Sequence, residues 1–351
     1  MTGSPLATRI GRLALVNPLV CGAGEPVMTE AGIRAALDAG AAGVVAKSVN
    51  ENPAAGRQLA RADYLRLDAR GAPDDWHGRG DGLFNRSGLQ PREAGDWFDA
   101  LAALDREASR QGRFVAASVV MASVDGAAAL ARAAAERGLR VFELNVGAPH
   151  ASEAAPGAIV LETDPERLQA TVARVRAAAP ELQLWVKLTG LSSQLPALAV
   201  AARAGGADAV AMMGRFMAFV PDIETLAPAL GTSAAYGGPW ALPIVCRHLA
   251  LSRRALGPET PLIGTNGVRH GEDIARMALA GASACEALSA VMLEGFGALG
   301  RMLDELEAYL RRRQRPFRDL IGLAADRMQG YAEQAEDPAR WRRFVPPPTL
   351  D

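Results

Sequence analysis

Apolar residues recur along the chain in eight short runs, each bounded by glycine, proline or polar turn residues. The runs do not alternate between apolar and polar positions, which is typical of strands buried on both faces of a parallel sheet. They cover residues 19–23, 43–49, 114–119, 141–145, 184–188, 209–213, 262–266 and 283–289. The pattern therefore predicts eight buried parallel strands.

Helical periodicity occupies the segments between these runs. The first helix is predicted over residues 29–38, because Thr29 is a good N-cap residue and Gly40 follows the last turn. The others are predicted over residues 94–111, 125–137, 165–179, 193–204, 241–256, 271–280 and 293–313. Eight strands alternating with eight helices predict a (β/α)₈ TIM barrel. A doubly wound sheet with a second domain is the alternative, weakened because no G-x-G-x-x-G turn follows the first strand.

Five segments lie outside this alternation. Residues 8–15 alternate like a β-hairpin and are expected to close the bottom of the barrel. Long excursions follow the second, fourth and sixth strands, where a barrel carries its active-site loops; they cover residues 50–91, 146–163 and 214–239. We expect one barrel domain over residues 1–313, and a C-terminal extension over residues 314–351 that packs on the barrel or on a partner subunit.

Composition narrows the class of protein further. The 351 residues are 49% hydrophobic and 22% charged, with a net charge of −1. These values favour a folded domain and argue against nucleic acid or a membrane surface as the main partner. Three widely spaced cysteines form neither a zinc motif nor a disulfide framework, so no structural metal is expected. No apolar stretch reaches the roughly 20 residues of a membrane span and no signal peptide is recognised, so we expect a cytoplasmic protein.

Two lysines end predicted strands. Lys47 closes the second run and Lys187 closes the fifth. A lysine next to buried strand residues is costly unless it is paired or reaches water. Each alone is compatible with a rim lysine that extends to solvent. Together at the mouth of one barrel, they indicate two fixed positive charges for an anionic ligand, or one lysine that forms a Schiff base.

Glycine-bearing turns cluster in the last third of the chain. They read Tyr236-Gly237-Gly238-Pro239, Gly264-Thr265-Asn266-Gly267 and Ala287-Leu288-Ser289-Ala290. Loops after the seventh and eighth strands of a barrel commonly bind phosphate, and glycine lets backbone N–H groups approach the oxygens. Asn85, in Phe84-Asn85-Arg86-Ser87-Gly88, becomes a ligand contact if the second excursion folds over the mouth.

These motifs, in this order, resemble the FMN-dependent dihydroorotate dehydrogenase family. The likeness is to its soluble class 1 members and to the related flavin domain of dihydropyrimidine dehydrogenase, and it covers most of residues 6–310. The motifs that carry it are Asn17-Pro18, Ala23-Gly24, Lys47-Ser48-Val49, Asn85-Arg86-Ser87-Gly88-Leu89, Leu144-Asn145 with Pro149-His150, Lys187-Leu188, Tyr236-Gly237-Gly238 and Gly264-Thr265-Asn266-Gly267.

The resemblance implies an FMN site and a dimer. It places Ala23 and Gly24 against the flavin ring, Lys47 and Ser48 at its edge, and Asn145 between flavin and substrate. Lys187 is implied to stabilise negative charge on the flavin. The phosphate is implied to bind Gly237, Gly238, Asn266, Gly267, Ser289 and Ala290. Lys47, Asn85, Asn145 and Met213 are implied to face the substrate.

The chain departs from the family at two places. The family reads Asn-x-Ser-Cys-Pro after the fourth strand and uses that cysteine as general base, whereas Ala148 stands here. His150 and Ser152, on the same loop, are the candidates to replace the base. The family's Asn-Ser/Thr pair after the sixth strand is replaced by Met212-Met213-Gly214. A substrate less polar than orotate is therefore expected.

Three hypotheses for the function follow. The first is an FMN-dependent oxidoreductase that moves a hydride between flavin and a small cyclic amide or unsaturated carbonyl compound, with a soluble electron acceptor or donor. The second is a flavin-free lyase or aldolase that uses Lys187 or Lys47 as an imine-forming residue. The third is a non-catalytic, flavin-binding subunit, which Ala148 supports.

Overall fold

Eight parallel strands form a closed barrel in the computed structural model, which describes residues 4–148 and 162–346. The strands are β1 (Leu19–Cys21), β2 (Gly43–Val45), β3 (Phe114–Val120), β4 (Val141–Asn145), β5 (Gln183–Lys187), β6 (Ala209–Met212), β7 (Leu262–Thr265) and β8 (Ala282–Ala287). Each strand pairs with the next in sequence, and β8 pairs with β1. The predicted (β/α)₈ barrel is confirmed.

The helices that surround the barrel follow the predicted alternation. They are α1 (Glu30–Asp38), α2 (Ala94–Ser109), α3 (Val124–Glu136), α4 (Pro165–Ala178), α5 (Leu195–Ala204), α6 (Leu242–Leu256), α7 (Gly271–Leu279) and α8 (Gly297–Arg313). Thr29 caps α1 by accepting a hydrogen bond from the Gly32 N–H at 3.1 Å. The predicted helix over residues 293–313 is in fact two, because Gly295 breaks the chain after Ser289–Glu294 with φ +80°.

The barrel interior is filled at its lower end by two aromatic rings. Phe114 and Trp185 are fully buried and meet edge to face, with ring centroids 5.3 Å apart. Gly43 faces the same ring, and a Cβ there would lie 2.0 Å from Phe114. Because this packing blocks the lower end, a ligand is accommodated only above it, at the carboxyl ends of the strands.

The N-terminal hairpin closes the bottom of the barrel, as predicted. Its strands, Thr8–Ile10 and Leu13–Leu15, pair antiparallel. Gln183, at the start of β5, accepts a hydrogen bond from the Arg12 N–H at 3.2 Å and donates one to the Ile10 carbonyl at 2.5 Å. The hairpin is thus held on the face opposite the strand ends.

Two excursions that are distant in sequence join in one antiparallel sheet, which the sequence did not predict. The excursion after β2 contributes Asp63–Leu67, Pro73–Asp74 and Gly82–Arg86, and the excursion after β6 contributes Phe216–Ala218 and Ala234–Gly237. Asn85 lies opposite Ala235 in this sheet. A further two-stranded hairpin pairs Pro221–Asp222 with Ala227–Pro228.

The C-terminal extension begins with residues that pack on the barrel. The Phe317 N–H donates to the Pro5 carbonyl, and the Gly322 N–H donates to the Ala278 carbonyl, both at 2.8 Å. Short 3₁₀ turns cover Phe317–Leu320, Ala325–Arg327, Tyr331–Glu333 and Arg340–Phe344. Within the described ranges, the structure has no helix that is both long and apolar enough to cross a bilayer.

Candidate active site

A cavity opens at the carboxyl ends of the barrel strands, below the excursion sheet. Its empty space is about 980 Å³, open mouth included. Residues from β2, β4, β5, β7 and β8, or from just after them, form its floor. Leu83, Asn85 and Ala235 of the excursion sheet form its roof. The excursion sheet therefore folds back over the mouth, which is the condition under which Asn85 was expected to face a ligand.

Lys187 is held between two buried carboxylates on the floor of this cavity. Its Nζ lies 2.5 Å from Glu286 Oε2 and 3.0 Å from Glu143 Oε2. The three side chains are 9%, 1% and 0% exposed, respectively. The Ser118 hydroxyl donates to Glu143 Oε1 at 2.9 Å and lies 2.8 Å from the hydroxyl of Ser48. A polar network thus crosses the barrel floor from β2 to β8.

Burial and charge act in opposite senses on Lys187. Burial alone would lower its pKa, but the carboxylates of Glu143 and Glu286 outweigh burial and raise the pKa above its ordinary value. Burial and the charge of Glu143 raise the pKa of Glu286 to about 8, against the opposing effect of Lys187. Lys187 is therefore an ammonium at neutral pH, and Glu286 is largely protonated.

The raised pKa of Glu286 makes the stability of the fold depend on pH. Its contribution to the free energy of unfolding is complete below the ordinary value of 4.5 and is lost as pH rises toward about 8. One proton gives a slope of at most about 1.4 kcal/mol per pH unit. In Glu286→Gln, the free energy of unfolding should fall less steeply as pH rises. Urea unfolding at several pH values between 4.5 and about 8 measures it. The exposed Glu136→Gln is the matched control, and equal slopes in both variants would contradict the assignment.

Lys47 is paired in the same way at the opposite side of the cavity. Its Nζ donates to Glu25 Oε1 at 2.8 Å, and the Trp97 indole N–H donates to its backbone carbonyl at 3.1 Å. Burial lowers the pKa of Lys47, although Glu25 opposes the shift. The two lysines predicted as fixed positive charges for an anionic ligand thus each have a carboxylate partner within the protein. Both lysines are buried, and burial requires a counter-charge for each.

Apolar side chains cover one part of the cavity wall. Met213 is 1% exposed and lines the cavity, and Ala148 lines it beside the buried side chains of Leu89 and Val120. A methyl group at position 148 has no proton to exchange. His150 and Ser152, the candidates to replace the base, lie outside the described residues.

Most of the predicted site residues meet in this one cavity. It is lined by Ala23, Lys47, Ser48, Asn85, Asn145, Lys187, Met213, Gly237, Asn266, Gly267 and Ser289. Three predicted contacts are not among the lining residues, namely Gly24, Gly238 and Ala290. Gly24 is covered by Leu288, whose side chain would lie 2.5 Å from a Cβ at position 24. Four charged groups were not predicted: Glu25, Glu143, Arg215 and Glu286.

The environment of the lysine and cysteine side chains bears on the alternative chemistries. An imine requires a neutral amine, and the two carboxylates keep Lys187 protonated. Burial raises the pKa of Cys21 to about 12 and that of Cys246 to about 11, so neither is a ready thiolate. Among the described residues, no cluster of His, Cys, Asp and Glu forms a metal site.

Comparison with known proteins identifies the family. The sequence model described as dihydroorotate dehydrogenase matches residues 5–310. The chain belongs to the dihydroorotate dehydrogenase family. This is a family of FMN-dependent oxidoreductases that act on CH–CH bonds, which favours the first hypothesis over the lyase and the non-catalytic subunit.

Two of the similar proteins span about nine tenths of the chain, and a third spans less than half. The dihydroorotate dehydrogenase B (NAD(+)) catalytic subunit of Methanocella arvoryzae is 30% identical over 315 residues, which cover 90% of this chain and 96% of that protein. The protein of the same description from Methanosarcina mazei is 30% identical, over 89% and 93%. A dihydroorotate dehydrogenase A (fumarate) from Limosilactobacillus reuteri is 33% identical over 150 residues, 42% and 47% of the two chains.

The residues around the cavity suit the FMN that this family binds. At one end, Gly267 has φ +93°, and a Cβ there would lie 2.7 Å from the Leu242 nitrogen, so backbone alone fits beside α6. At the floor, Glu286 Oε1 has no hydrogen-bond partner among the described residues. A protonated carboxyl with a spare oxygen can exchange hydrogen bonds with the polar edge of a heterocycle. The glycine-bearing backbone at one end suits the phosphate of FMN. The ionic groups on the floor suit the polar edge of its flavin ring.

Proposed function

We propose that this chain is an FMN-dependent oxidoreductase that moves a hydride to or from a carbon–carbon bond of a small cyclic amide or unsaturated carbonyl compound. The observation that carries the proposal is Lys187, held as an ammonium on the floor of a cavity lined by eleven of the predicted site residues. FMN, when bound, supplies the site that accepts or donates the hydride. Residues of this protein bind the cofactor, bind the substrate and transfer the proton.

The proposed roles divide the cavity into three parts. Gly237, Asn266, Gly267 and Ser289 hold the phosphate of FMN through backbone N–H groups and a side-chain amide. Ala23, Ser48 and Asn145 line the ring. The Lys187 ammonium stabilises negative charge that develops on the ring, and its fixed ion pairs mean that it need not reorient during the reaction.

Residues on the other side of the cavity bind the substrate and transfer the proton. Lys47 and Asn85 bind polar groups of the substrate, and Met213 packs against its ring. Because Ala148 cannot exchange a proton, His150 or Ser152 takes this role from the loop after β4. The apolar wall favours a substrate less polar than orotate, so we do not assign dihydroorotate itself.

Electrons must also enter or leave the protein. The two archaeal relatives are named as catalytic subunits of an NAD(+) enzyme. We propose that this chain exchanges electrons with a soluble small molecule or a separate subunit, and that it is a cytoplasmic homodimer. The three cysteines do not have iron–sulfur spacing, which supports an external acceptor.

The proposal predicts a yellow protein. Purified protein should carry FMN, or take it up on reconstitution, with visible flavin absorbance that bleaches on reduction. Anaerobic titration with a panel of dihydro-heterocycles and reduced nicotinamides identifies the compound that bleaches it. A protein that stays colourless after incubation with FMN would contradict the proposal. Borohydride trapping of a carbonyl compound on a lysine would favour the lyase hypothesis instead.

A further inference from the structure

The two carboxylates beside Lys187 are not hydrogen-bonded equally. Glu143 Oε1 accepts a hydrogen bond from the Ser118 hydroxyl at 2.9 Å, and Glu143 Oε2 faces the Lys187 ammonium at 3.0 Å. Glu286 contacts the same ammonium at 2.5 Å through Oε2, but its Oε1 has no hydrogen-bond partner among the described residues. Hydrogen bonds to a carboxylate favour its ionised form. Of the two, Glu286 is therefore the carboxyl that holds a proton more readily.

The proton on Glu286 decides the net charge of this group. Three titratable side chains on neighbouring strands interact with it electrostatically: Glu143 on β4, Lys187 on β5 and Cys21 on β1. Strand β7, also paired with β8, carries no titratable residue. Burial raises the pKa of Cys21 to about 12 and that of Cys285 on β8 well above its ordinary value, so both thiols are neutral. With Glu286 ionised, one cation and two anions leave a net charge of −1, and with Glu286 protonated the net charge is zero.

Glu286 and Lys187 both line the active-site cavity, so the charge of this group acts on the ligand that the cavity binds. The Glu286 carboxyl lies against the backbone just after β1, where a Cβ on Gly22 would be 3.4 Å from Glu286 Oε2. The next residue, Ala23, lines the cavity and is the one expected to contact the flavin ring. Water screens charges poorly in this interior, so an ionised Glu286 disfavours negative charge on a nearby ring.

We propose that Glu286 takes up one proton from solvent when the bound FMN receives a hydride, so that the charge of the cavity floor changes together with that of the cofactor. The inference rests on the proposed function and adds the residue that couples proton uptake to reduction. The hydride leaves a C–H bond of the substrate, which is oxidised, and forms a bond to the ring, which gains one negative charge. The proton forms an O–H bond on Glu286 and removes one negative charge there, so the two charges cancel.

The pH range of this coupling follows from the pKa of Glu286. Burial and the charge of Glu143 raise that pKa to about 8, and negative charge on the ring raises it further. Below about pH 8, Glu286 carries its proton both before and after reduction, so no extra proton is taken up. Above that pH, reduction requires the extra proton and becomes less favourable as pH rises. Each pH unit then changes the equilibrium about tenfold, which corresponds to about 30 mV for a two-electron couple.

Spectroelectrochemical titration of the bound FMN tests the proposal without a substrate. The midpoint potential is measured against pH for the wild type, Glu286→Gln, Glu286→Asp and the control Glu136→Gln, an exposed glutamate on α3. Above about pH 8, the wild-type potential should fall about 30 mV per pH unit more steeply than that of Glu286→Gln, whereas at lower pH the two slopes should agree. Glu286→Asp retains a carboxyl and should keep the extra slope, and Glu136→Gln should behave as wild type.

Two outcomes would overturn the proposal. One is an equal slope in the wild type and Glu286→Gln over the whole pH range. The other is loss of the extra slope in Glu286→Asp as well, because that indicates a change of cavity shape and not the titration of a carboxyl. Should Glu286→Gln not fold, proton uptake by the wild type decides. A pH indicator dye should then record about one more proton per FMN reduced above pH 8 than below it, and a constant uptake counts against the proposal.

Flavin absorbance, recorded on the same samples, separates this inference from the proposed function. A protein that takes up no FMN refutes the proposed function, and this inference with it. A flavoprotein that is reduced reversibly, but has the same pH slope in the wild type and Glu286→Gln, refutes the inference alone.

Discussion

Replacing Lys187 with methionine is expected to abolish turnover and to lower the free energy of unfolding at pH 7 by about 3–5 kcal/mol. The variant leaves Glu143 and Glu286 facing each other in a space where both are at most 1% exposed. Without the cation, a charged carboxylate at either position is costly to bury. A turnover assay on flavin-loaded protein and urea unfolding measure the two losses.

The triple variant Lys187→Met, Glu143→Gln, Glu286→Gln separates stability from catalysis. It removes the uncompensated charge together with the lysine, so most of the lost stability should return. Turnover should not return, because no cation then faces the cavity floor. A Lys187→Met protein as stable as wild type at pH 7 would show that the ion pairs are not buried as described. A triple variant with restored activity would remove Lys187 from the mechanism.

The barrel could be predicted because its strands are buried on both faces. Such strands appear in the sequence as continuous apolar runs, and each is followed by a helix with its own cap residue or glycine stop. The ends of the strands were predicted less accurately than their presence. The second run was predicted over residues 43–49, whereas β2 covers Gly43–Val45 and the chain rejoins the barrel at Val49, bridged to Val119.

The excursion sheet could not be predicted in the same way. Its strands are short and carry exposed or charged residues such as Asp63, and they come from segments more than a hundred residues apart. The partner of Gly82–Arg86 is Ala234–Gly237, and nothing local in either segment specifies the other. The roof of the active site depends on this pairing, so its shape is determined by the fold and not by a motif.

The two carboxylates beside Lys187 could have been predicted from the sequence. The argument that a lysine in a buried strand needs a partner applies equally to Glu143, within Val141–Asn145, and to Glu286, within Ala282–Ala287. Glutamates in such runs indicate internal ion pairs as strongly as lysines do. Glu143 lies on the strand that pairs with that of Lys187, whereas Glu286 on β8 meets Lys187 only across the closed barrel, so that second contact could not be derived.

The second large effect is expected at Lys47. Replacement by methionine should lower kcat/KM by roughly 2–5 kcal/mol, mainly through KM, because it removes the cation that we propose binds the substrate and leaves Glu25 without its partner. Among the described residues, the Lys47 ammonium donates a hydrogen bond to Glu25, which leaves further N–H groups for the proposed contact with substrate. Steady-state kinetics with the compound that reduces the protein measure the change. A loss confined to kcat would instead make Lys47 the proton-transfer group.

Glu25→Gln tests the Lys47–Glu25 ion pair by removing the carboxylate instead of the lysine. Burial already lowers the pKa of Lys47, and the charge of Glu25 opposes that shift. Without Glu25, the pKa of Lys47 falls further, so the neutral amine forms at a lower pH. The alkaline decline of kcat/KM should therefore begin at lower pH in Glu25→Gln than in the wild type, whereas kcat/KM below that decline stays closer to wild type than in Lys47→Met. An unchanged pH profile would mean that Lys47 does not act as a cation toward the substrate.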